Sequence, residues 1–131
     1  MANGFGIMMF MRIVNPTAVL GEDAAVKFLV KKGYKILERN FRKGYGEVDI
    51  IALNRNTLVF IEVKTRSSDR YGTPFEAISP WKLRSLIRGA KFYKYMLHPE
   101  LPEDLRIDAI GVMVLGGEIV SIEQIENITS F

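Results

Sequence analysis

The chain has 131 residues, with 18 Lys or Arg and 15 Asp or Glu, and this length and composition are typical of one globular domain. It lacks cysteine, which excludes disulfides, thiolate nucleophiles and iron–sulfur clusters, and its single histidine, His98, excludes a paired-histidine zinc site. Residues 1–99 carry 17 basic and 8 acidic side chains whereas residues 100–131 carry 1 and 7, so the basic body indicates a polyanionic partner.

The N-terminal segment predicts a flexible leader over residues 1–15, followed by a single domain over residues 16–131. Its apolar run from Ile7 to Met11 has no preceding positive charge and no small-residue cleavage site, so it does not resemble a signal peptide. No apolar run in the chain approaches the ~20 residues that span a bilayer. We therefore expect a cytoplasmic protein that does not bind membranes.

The first predicted helix begins at a cap on Thr17, runs to about Lys32 and ends at Gly33. Its apolar face consists of Ala25, Val26 and Leu29. Glu22 precedes these residues by helical spacings, so its carboxylate falls on the same face. A carboxylate on a buried face needs a cation, a set of hydrogen-bond donors or a position at the edge of a cleft. Alternatively, Glu22 lies in the first turn of the helix, where its charge balances the helix dipole. This segment alone favours the helix-dipole interpretation.

Three extended segments follow the helix, at residues 34–41, 47–53 and 58–64, and the second and third form a predicted hairpin around residues 54–57. A turn centred on residues 55–56 sets Asp49 opposite Glu62 and Glu47 opposite Lys64. A slip of one residue would place these pairs on opposite faces, so the register is a sharp prediction.

Four charged side chains on one patch of this hairpin allow two interpretations. Facing carboxylates repel each other unless a cation lies between them, and their oxygens suit Mg²⁺ or Mn²⁺. Lys64 would then stabilise the charge that develops at phosphorus or position a water, and the patch would hydrolyse phosphodiesters. The alternative is a structural ladder of ion pairs in which Glu47 meets Lys64.

The remaining elements complete the order helix, three strands, helix, two strands. A loop over residues 65–78 leads to a helix that Ser79 caps and Pro80 begins, and that runs to about Leu97. One face of this helix is basic, through Arg84, Arg88 and Lys91. Two strands, at residues 106–115 and 118–125, then form a hairpin around residues 116–117.

The spacing from Asp49 to Glu62-Val63-Lys64 resembles the D…ExK core of the PD-(D/E)XK nuclease superfamily. The segments Gly21-Glu22, Gly46-Glu47-Val48-Asp49 and Phe60-Ile61-Glu62-Val63-Lys64-Thr65-Arg66 resemble the YraN-type family of small bacterial restriction-endonuclease-like proteins. The arrangement is more loosely similar to archaeal Holliday-junction resolvases. The resemblance implies an α/β fold with a restriction-endonuclease-like αβββαβ core, in which helices flank a mixed central sheet.

The resemblance also implies a role for each residue of the motif. Asp49, Glu62 and the backbone carbonyl of Val63 would bind Mg²⁺ or Mn²⁺, and Lys64 would be the catalytic lysine. Glu22 becomes an additional ligand or a water-orienting acid, which reverses the preference for the helix dipole, and Glu47 becomes a supporting carboxylate or the partner of Lys64. The candidate DNA contacts are Arg66, Lys82, Arg84, Arg88 and Lys91. The alternative is that Arg66 simply ends a strand and that the other four are solvated helix positions.

The sequence thus predicts a metal-dependent endonuclease that hydrolyses DNA phosphodiester bonds, with structured or branched DNA as the substrate. The alternative is a nucleic-acid-binding or adaptor protein of DNA processing whose nuclease site is weak or inactive. A third hypothesis is a purely structural domain. The oligomeric state stays open, a homodimer included.

Overall fold

The computed structural model describes residues 15–67 and 78–129, so all of the predicted leader except Asn15 and most of the predicted loop at residues 65–78 lie outside the described residues. Within the described ranges, two helices and five strands follow one another in the predicted order. The elements are α1 (Pro16–Lys31), β1 (Lys35–Phe41), β2 (Val48–Asn54), β3 (Thr57–Arg66), α2 (Pro80–Lys91) with a π-helical continuation (Phe92–Leu97), β4 (Asp104–Leu115) and β5 (Glu118–Ile125).

The strands form one mixed sheet in the order β1-β2-β3-β4-β5. Strands β3 and β4 are parallel, because α2 connects them and returns the chain to the same end of the sheet, whereas the other neighbouring pairs are antiparallel. Helix α1 packs on one face through Ala25 and Leu29, and α2 packs on the other through Leu86 and Ala90. The predicted α/β class with a mixed sheet between helices is confirmed, and it is consistent with a restriction-endonuclease-like fold.

The helix starts show where local sequence signals succeed and fail. Ser79 caps α2 as predicted, its side chain accepting a hydrogen bond from the Lys82 backbone N–H. The predicted cap on Thr17 is wrong, because Asn15 accepts from the backbone and Pro16, which lacks an N–H, occupies the first helical position. Since the first turn of α1 holds no acid, the helix-dipole interpretation of Glu22 is also wrong.

The β2–β3 hairpin has the predicted register, with Asn54 opposite Thr57 and the regular pairing continuing to Ile50 opposite Ile61. Strand β3 continues beyond that point and stays paired with β4 as far as Arg66. The charged residues of the motif therefore lie where β2 and β3 part, at one end of the sheet. A strand end of this kind exposes backbone and side-chain polar groups that the sheet interior would bury.

Candidate active site

Asp49 and Glu62 converge at the end of the β2–β3 hairpin. The Asp49 Oδ2 atom accepts a hydrogen bond of 2.8 Å from the Val63 backbone N–H, which fixes its carboxylate beside β3. Glu62, which pairs with Ala109 of β4, is only 2% exposed. Its Oε1 atom is buried and has no hydrogen-bond partner among the described residues. A buried acceptor without a donor is costly, so a cation or a donor from outside would stabilise this oxygen.

The electrostatics of Glu62 point the same way. Burial, followed by the charge of Asp49, raises the pKa of Glu62 to about 8, and the charges of Lys82 and Lys64 oppose this rise. The nearest Nζ atoms lie 3.7 Å (Lys82) and 3.9 Å (Lys64) from Glu62 Oε2. Two lysines at these distances do not neutralise the pair of carboxylates, and further positive charge would stabilise their ionised forms.

Lys82 lies inside the site, between two acids. Its Nζ donates to Glu47 Oε2 at 3.1 Å and lies 3.7 Å from Glu62 Oε2. Burial disfavours its charge, but the carboxylates of Glu62 and Glu47 outweigh that effect and raise the pKa of Lys82. The hydrogen bond from Lys82 in turn lowers the pKa of Glu47. Lys82 is therefore a charged bridge between α2 and the hairpin.

The predicted pairing of Glu47 with Lys64 is wrong. Strand β2 begins only at Val48, so Glu47 leaves the sheet and turns towards α2. Its carboxylate forms ion pairs of 3.1 Å with Arg42 and Lys82, whereas the ion pair of Lys64 is with Glu62. The four charges form a network that α2 completes, rather than a ladder within the hairpin.

Glu22 approaches the same end of the sheet from α1. Its side chain is 15% exposed, and its Oε1 accepts hydrogen bonds of 3.1 Å from Arg39 Nε and Asn40 Nδ2. Burial raises the pKa of Glu22 despite the opposing hydrogen bond from Arg39, and the charge of Asp49 adds to the rise. The acid on the apolar face of α1 thus has the donor set that its burial demands.

Arg39 is a residue of the site that the sequence pattern does not predict, and a β-bulge explains why. An uninterrupted ladder from Ile36 opposite Ala52 would set Glu38 opposite Ile50, on the face that α1 covers. The bulge between Ile36 and Glu38 shifts the register, so that Arg39 pairs with Ile50 instead. The positively charged Arg39 therefore lies beside Glu22, at a position where simple strand alternation predicts Glu38. The alternation of residues along β1 does not indicate the bulge.

A glycine brings α1 close enough for Glu22 to reach the cleft. A Cβ atom on Gly21 would lie 1.9 Å from Thr65 Oγ1, so only glycine lets the helix contact the end of β3 at this point. The resulting cleft has a volume of about 660 Å³. Its lining residues include Glu22, Arg39, Asn40, Arg42, Asp49, Val63 and Lys64.

The donors present fit a small divalent cation of the Mg²⁺ type. Glu62 Oε1 lacks a partner in the described part of the chain, the Asp49 carboxylate lies beside it, and both are hard oxygen donors. Residues 15–67 and 78–129 bring no three His, Cys, Asp or Glu side chains together as a metal-binding group, and Glu22 accepts hydrogen bonds from Arg39 and Asn40. Mg²⁺ commonly binds through one or two carboxylates and keeps several waters, which matches this set.

Removal of the Lys82 charge is expected to destabilise the fold. In Lys82→Met the buried Glu62 loses its nearest cation, and near pH 8 we expect a loss of about 1–3 kcal/mol in the free energy of unfolding. Lys91→Met is the matched control, because Lys91 is exposed on the same helix. Urea unfolding of both variants measures the difference. Equal losses in the two variants would show that Lys82 does not support Glu62.

The other predicted DNA contacts lie on one side of the site. Arg84, Arg88 and Lys91 are exposed on α2 and form the predicted basic face. Arg88 also donates from Nε to the Tyr45 backbone carbonyl at 3.1 Å. Arg66 ends β3, half-buried, and its Nε is buried without a hydrogen-bond partner among the residues that the structure describes. Arg66 is therefore at the edge of the site, whereas the basic face is open to solvent.

Comparison with known proteins places most of this chain in one family. Residues 21–112 match the model of "Uncharacterised protein family UPF0102". A UPF0102 protein of Chlorobium phaeobacteroides is 50% identical over 93 residues, which cover 71% of this chain and 73% of the relative. A UPF0102 protein of Thermodesulfovibrio yellowstonii is 44% identical over 107 residues, 82% of this chain and 89% of the relative. In the part of the chain that the structure describes, no helix is long and apolar enough to span a membrane.

Proposed function

This chain belongs to the uncharacterised protein family UPF0102, and from the geometry of its site we propose that it is a metal-dependent endonuclease that hydrolyses DNA phosphodiester bonds. The observation that carries the proposal is the buried Glu62 carboxylate, which lies beside Asp49 with one oxygen unpartnered among the described residues. A structural ion-pair ladder would satisfy such an oxygen. In a metal site without its cation, a ligand oxygen of this kind has no partner.

The surrounding residues supply the other parts of a hydrolytic site. Asp49, Glu62 and the Val63 carbonyl would hold Mg²⁺ or Mn²⁺, which when bound polarises a phosphate and acidifies a water. Lys64 lies on the cleft, 3.9 Å from Glu62 Oε2, where its charge can stabilise a phosphate oxygen. Glu22, held by Arg39 and Asn40, would orient a water rather than bind the metal.

Lys82 and Glu47 have supporting roles in this proposal. The charge of Lys82 opposes the rise in the pKa of Glu62 from the α2 side, and Glu47 holds Lys82 in place through a hydrogen bond of 3.1 Å. With a divalent cation held by Glu62, Lys82 would keep its positive charge beside the cleft. It would then be available to a phosphate oxygen, which is the phosphate contact expected of it.

The basic face of α2 is expected to make DNA binding depend on salt. Arg84→Ala and Lys91→Ala should each weaken binding to all sequences alike and lower the slope of log affinity against log salt by about 1. Lys27→Ala, an exposed lysine on α1, is the matched control. Fluorescence anisotropy of labelled DNA across a salt series measures the slopes. Slopes equal to that of the wild type in both α2 variants would remove this face from the DNA interface.

The direct test of the activity uses a panel of labelled DNAs with Mn²⁺ or Mg²⁺. The panel holds flap, nicked, four-way-junction and plain duplex molecules, because nothing in the motif points to base-specific readout. We expect metal-dependent cleavage of at least one substrate, and none with a chelator present. Absence of cleavage from the whole panel with both metals would contradict the proposal.

A second candidate is a nucleic-acid-binding adaptor of DNA processing. The observation that favours it is that no third acid joins Asp49 and Glu62 among the described residues, so metal affinity rests on two side chains. Calorimetry with Mn²⁺, in the presence and in the absence of DNA, separates the two candidates. Binding in either condition supports the nuclease, whereas no binding in both supports the adaptor.

A further inference from the structure

An aromatic and basic surface adjoins the site on the α2 side, where the turn between β1 and β2 packs on α2. Two large rings are exposed there: Tyr45 is 94% exposed and Trp81 is 62% exposed. Both line one cavity of about 270 Å³, together with three basic residues and a single acid. These charged residues are Arg42, Lys43, Arg88 and Glu47.

The structure holds Tyr45 in a conformation that an aromatic residue rarely adopts. Its φ is +61°, in the left-handed region, where residues other than glycine are strained. Arg88 fixes its carbonyl from α2 at 3.1 Å. The next residue, Gly46, lies so close to α2 that an added Cβ would be 2.2 Å from the Gly89 backbone nitrogen. The turn is therefore held against α2, and the Tyr45 ring projects from this turn.

Burial does not account for this arrangement, because the ring of Tyr45 gains almost nothing from packing. Strained backbone persists where the surrounding structure dictates it, and such positions cluster at ligand-binding sites. Exposed rings among basic side chains are typical of proteins that bind single-stranded nucleic acid, where the rings stack on bases and the cations hold phosphates.

We propose that Tyr45 and Trp81 form a stacking platform for unpaired bases of DNA, with Arg42, Lys43 and Arg88 binding the adjoining phosphates. This inference rests on the proposed nuclease function and names its substrate class, DNA with a single-stranded segment. In an intact duplex the faces of the bases are covered by their neighbours, so the platform selects nucleotides that have left the stack.

The platform is connected to the catalytic carboxylates through one lysine. Glu47 lines the platform cavity and accepts a hydrogen bond from Lys82, whose Nζ lies 3.7 Å from Glu62 Oε2. A base on the platform would therefore hold its strand next to Glu62 and Lys64. The single-stranded segment would be bound on the α2 side of the cleft and cleaved at the end of β3.

The chain offers a direct probe, since Trp81 is its only tryptophan. Glu62→Gln protein without metal serves as the background, so that cleavage does not interfere, and it is titrated with oligothymidylate and with a blunt duplex of equal length. We expect oligothymidylate to quench the Trp81 fluorescence and the duplex to leave it nearly unchanged. Adding Tyr45→Ala should weaken oligothymidylate binding about 5- to 100-fold, the range found when a stacking ring is removed.

Tyr95→Ala is the matched control, since Tyr95 is 54% exposed and lines a different cavity with Thr57 and Asp104. This variant should bind like its parent. Trp81→Ala is followed by anisotropy of labelled oligothymidylate and should show a loss similar to that of Tyr45→Ala. Unchanged Trp81 fluorescence, equal quenching by the duplex, or Tyr45→Ala binding like the control would each overturn the platform.

The test separates this inference from the proposed function. Stacking is measured without metal, so quenching by oligothymidylate supports the platform even if no DNA is cleaved. If blunt duplex is cleaved at the same rate by wild type and Tyr45→Ala, and oligothymidylate binds both alike, the nuclease proposal stands and the platform is rejected. If neither assay detects an effect of DNA at this surface, the surface would instead be a site for a protein partner.

Discussion

Asp49→Asn and Glu62→Gln are each expected to lower metal-dependent DNA cleavage at least about 100-fold, because each removes one of two carboxylates that would bind the cation. Both changes keep the size of the side chain. In Asp49→Asn the amide oxygen can still accept the hydrogen bond that Asp49 accepts from the Val63 N–H. Cleavage rates under single-turnover conditions with Mn²⁺ measure the effect.

Binding provides the control for these two variants. Affinity for DNA without metal should stay within about threefold of the wild type, since the basic face of α2 is unchanged. Glu123→Gln, which alters an exposed acid on β5, should cleave at the rate of the wild type. Cleavage that survives both Asp49→Asn and Glu62→Gln would show that the activity comes from elsewhere, and the assignment would be abandoned.

The second large effect is on stability, and it has the opposite sign. Without metal, Glu62→Gln is expected to raise the free energy of unfolding near pH 8, because it removes a buried carboxylate that repels Asp49. A variant that loses activity and gains stability marks a functional rather than a structural acid. In a structural ion-pair network the same substitution would lower stability.

The dependence on pH follows from the raised pKa of Glu62. The folded protein keeps the Glu62 proton up to about pH 8, whereas the unfolded chain releases it near 4.5. Stability attributable to this group is therefore present below pH 4.5 and lost as the pH rises from 4.5 to about 8. Glu62→Gln does not undergo this loss, so its advantage grows over that interval by about 2–4 kcal/mol.

Urea unfolding of the wild type and Glu62→Gln at several pH values, with a chelator present, measures this difference. Titrating groups that do not interact with Glu62 are common to both proteins and cancel in the comparison. Mn²⁺ should stabilise the wild type more than the variant. Parallel stability curves over the whole interval would mean that Glu62 is not held in a site that disfavours its charge.

Much of the fold follows from local patterns in the sequence. Two apolar runs on either side of the turn at residues 54–57 predict the register of the central hairpin, and a slip would place the charged pairs on opposite faces. Ser79 and Pro80 predict the start of α2 in the same way, through capping chemistry. Within the site, the convergence of Asp49 and Glu62 follows from the register alone.

The features that the sequence did not reveal all depend on contacts between elements. Lys82 reaches Glu62 only because α2 packs across the end of the hairpin, and the close approach of Gly46 to α2 turns Glu47 away from Lys64. The bulge in β1 brings Arg39 to Glu22 against the simple alternation of the strand. Such packing and register shifts are set by tertiary structure, so a periodic pattern cannot indicate them.

The central claim is that Asp49 and Glu62 bind a catalytic divalent cation. A crystal soaked in Mn²⁺ and measured at the manganese absorption edge tests it most directly. We expect an anomalous peak between the Asp49 and Glu62 carboxylates and the Val63 carbonyl, with Glu22 outside the set of ligands, and no peak there in Glu62→Gln. A crystal of the wild type with no peak between these two carboxylates would contradict it.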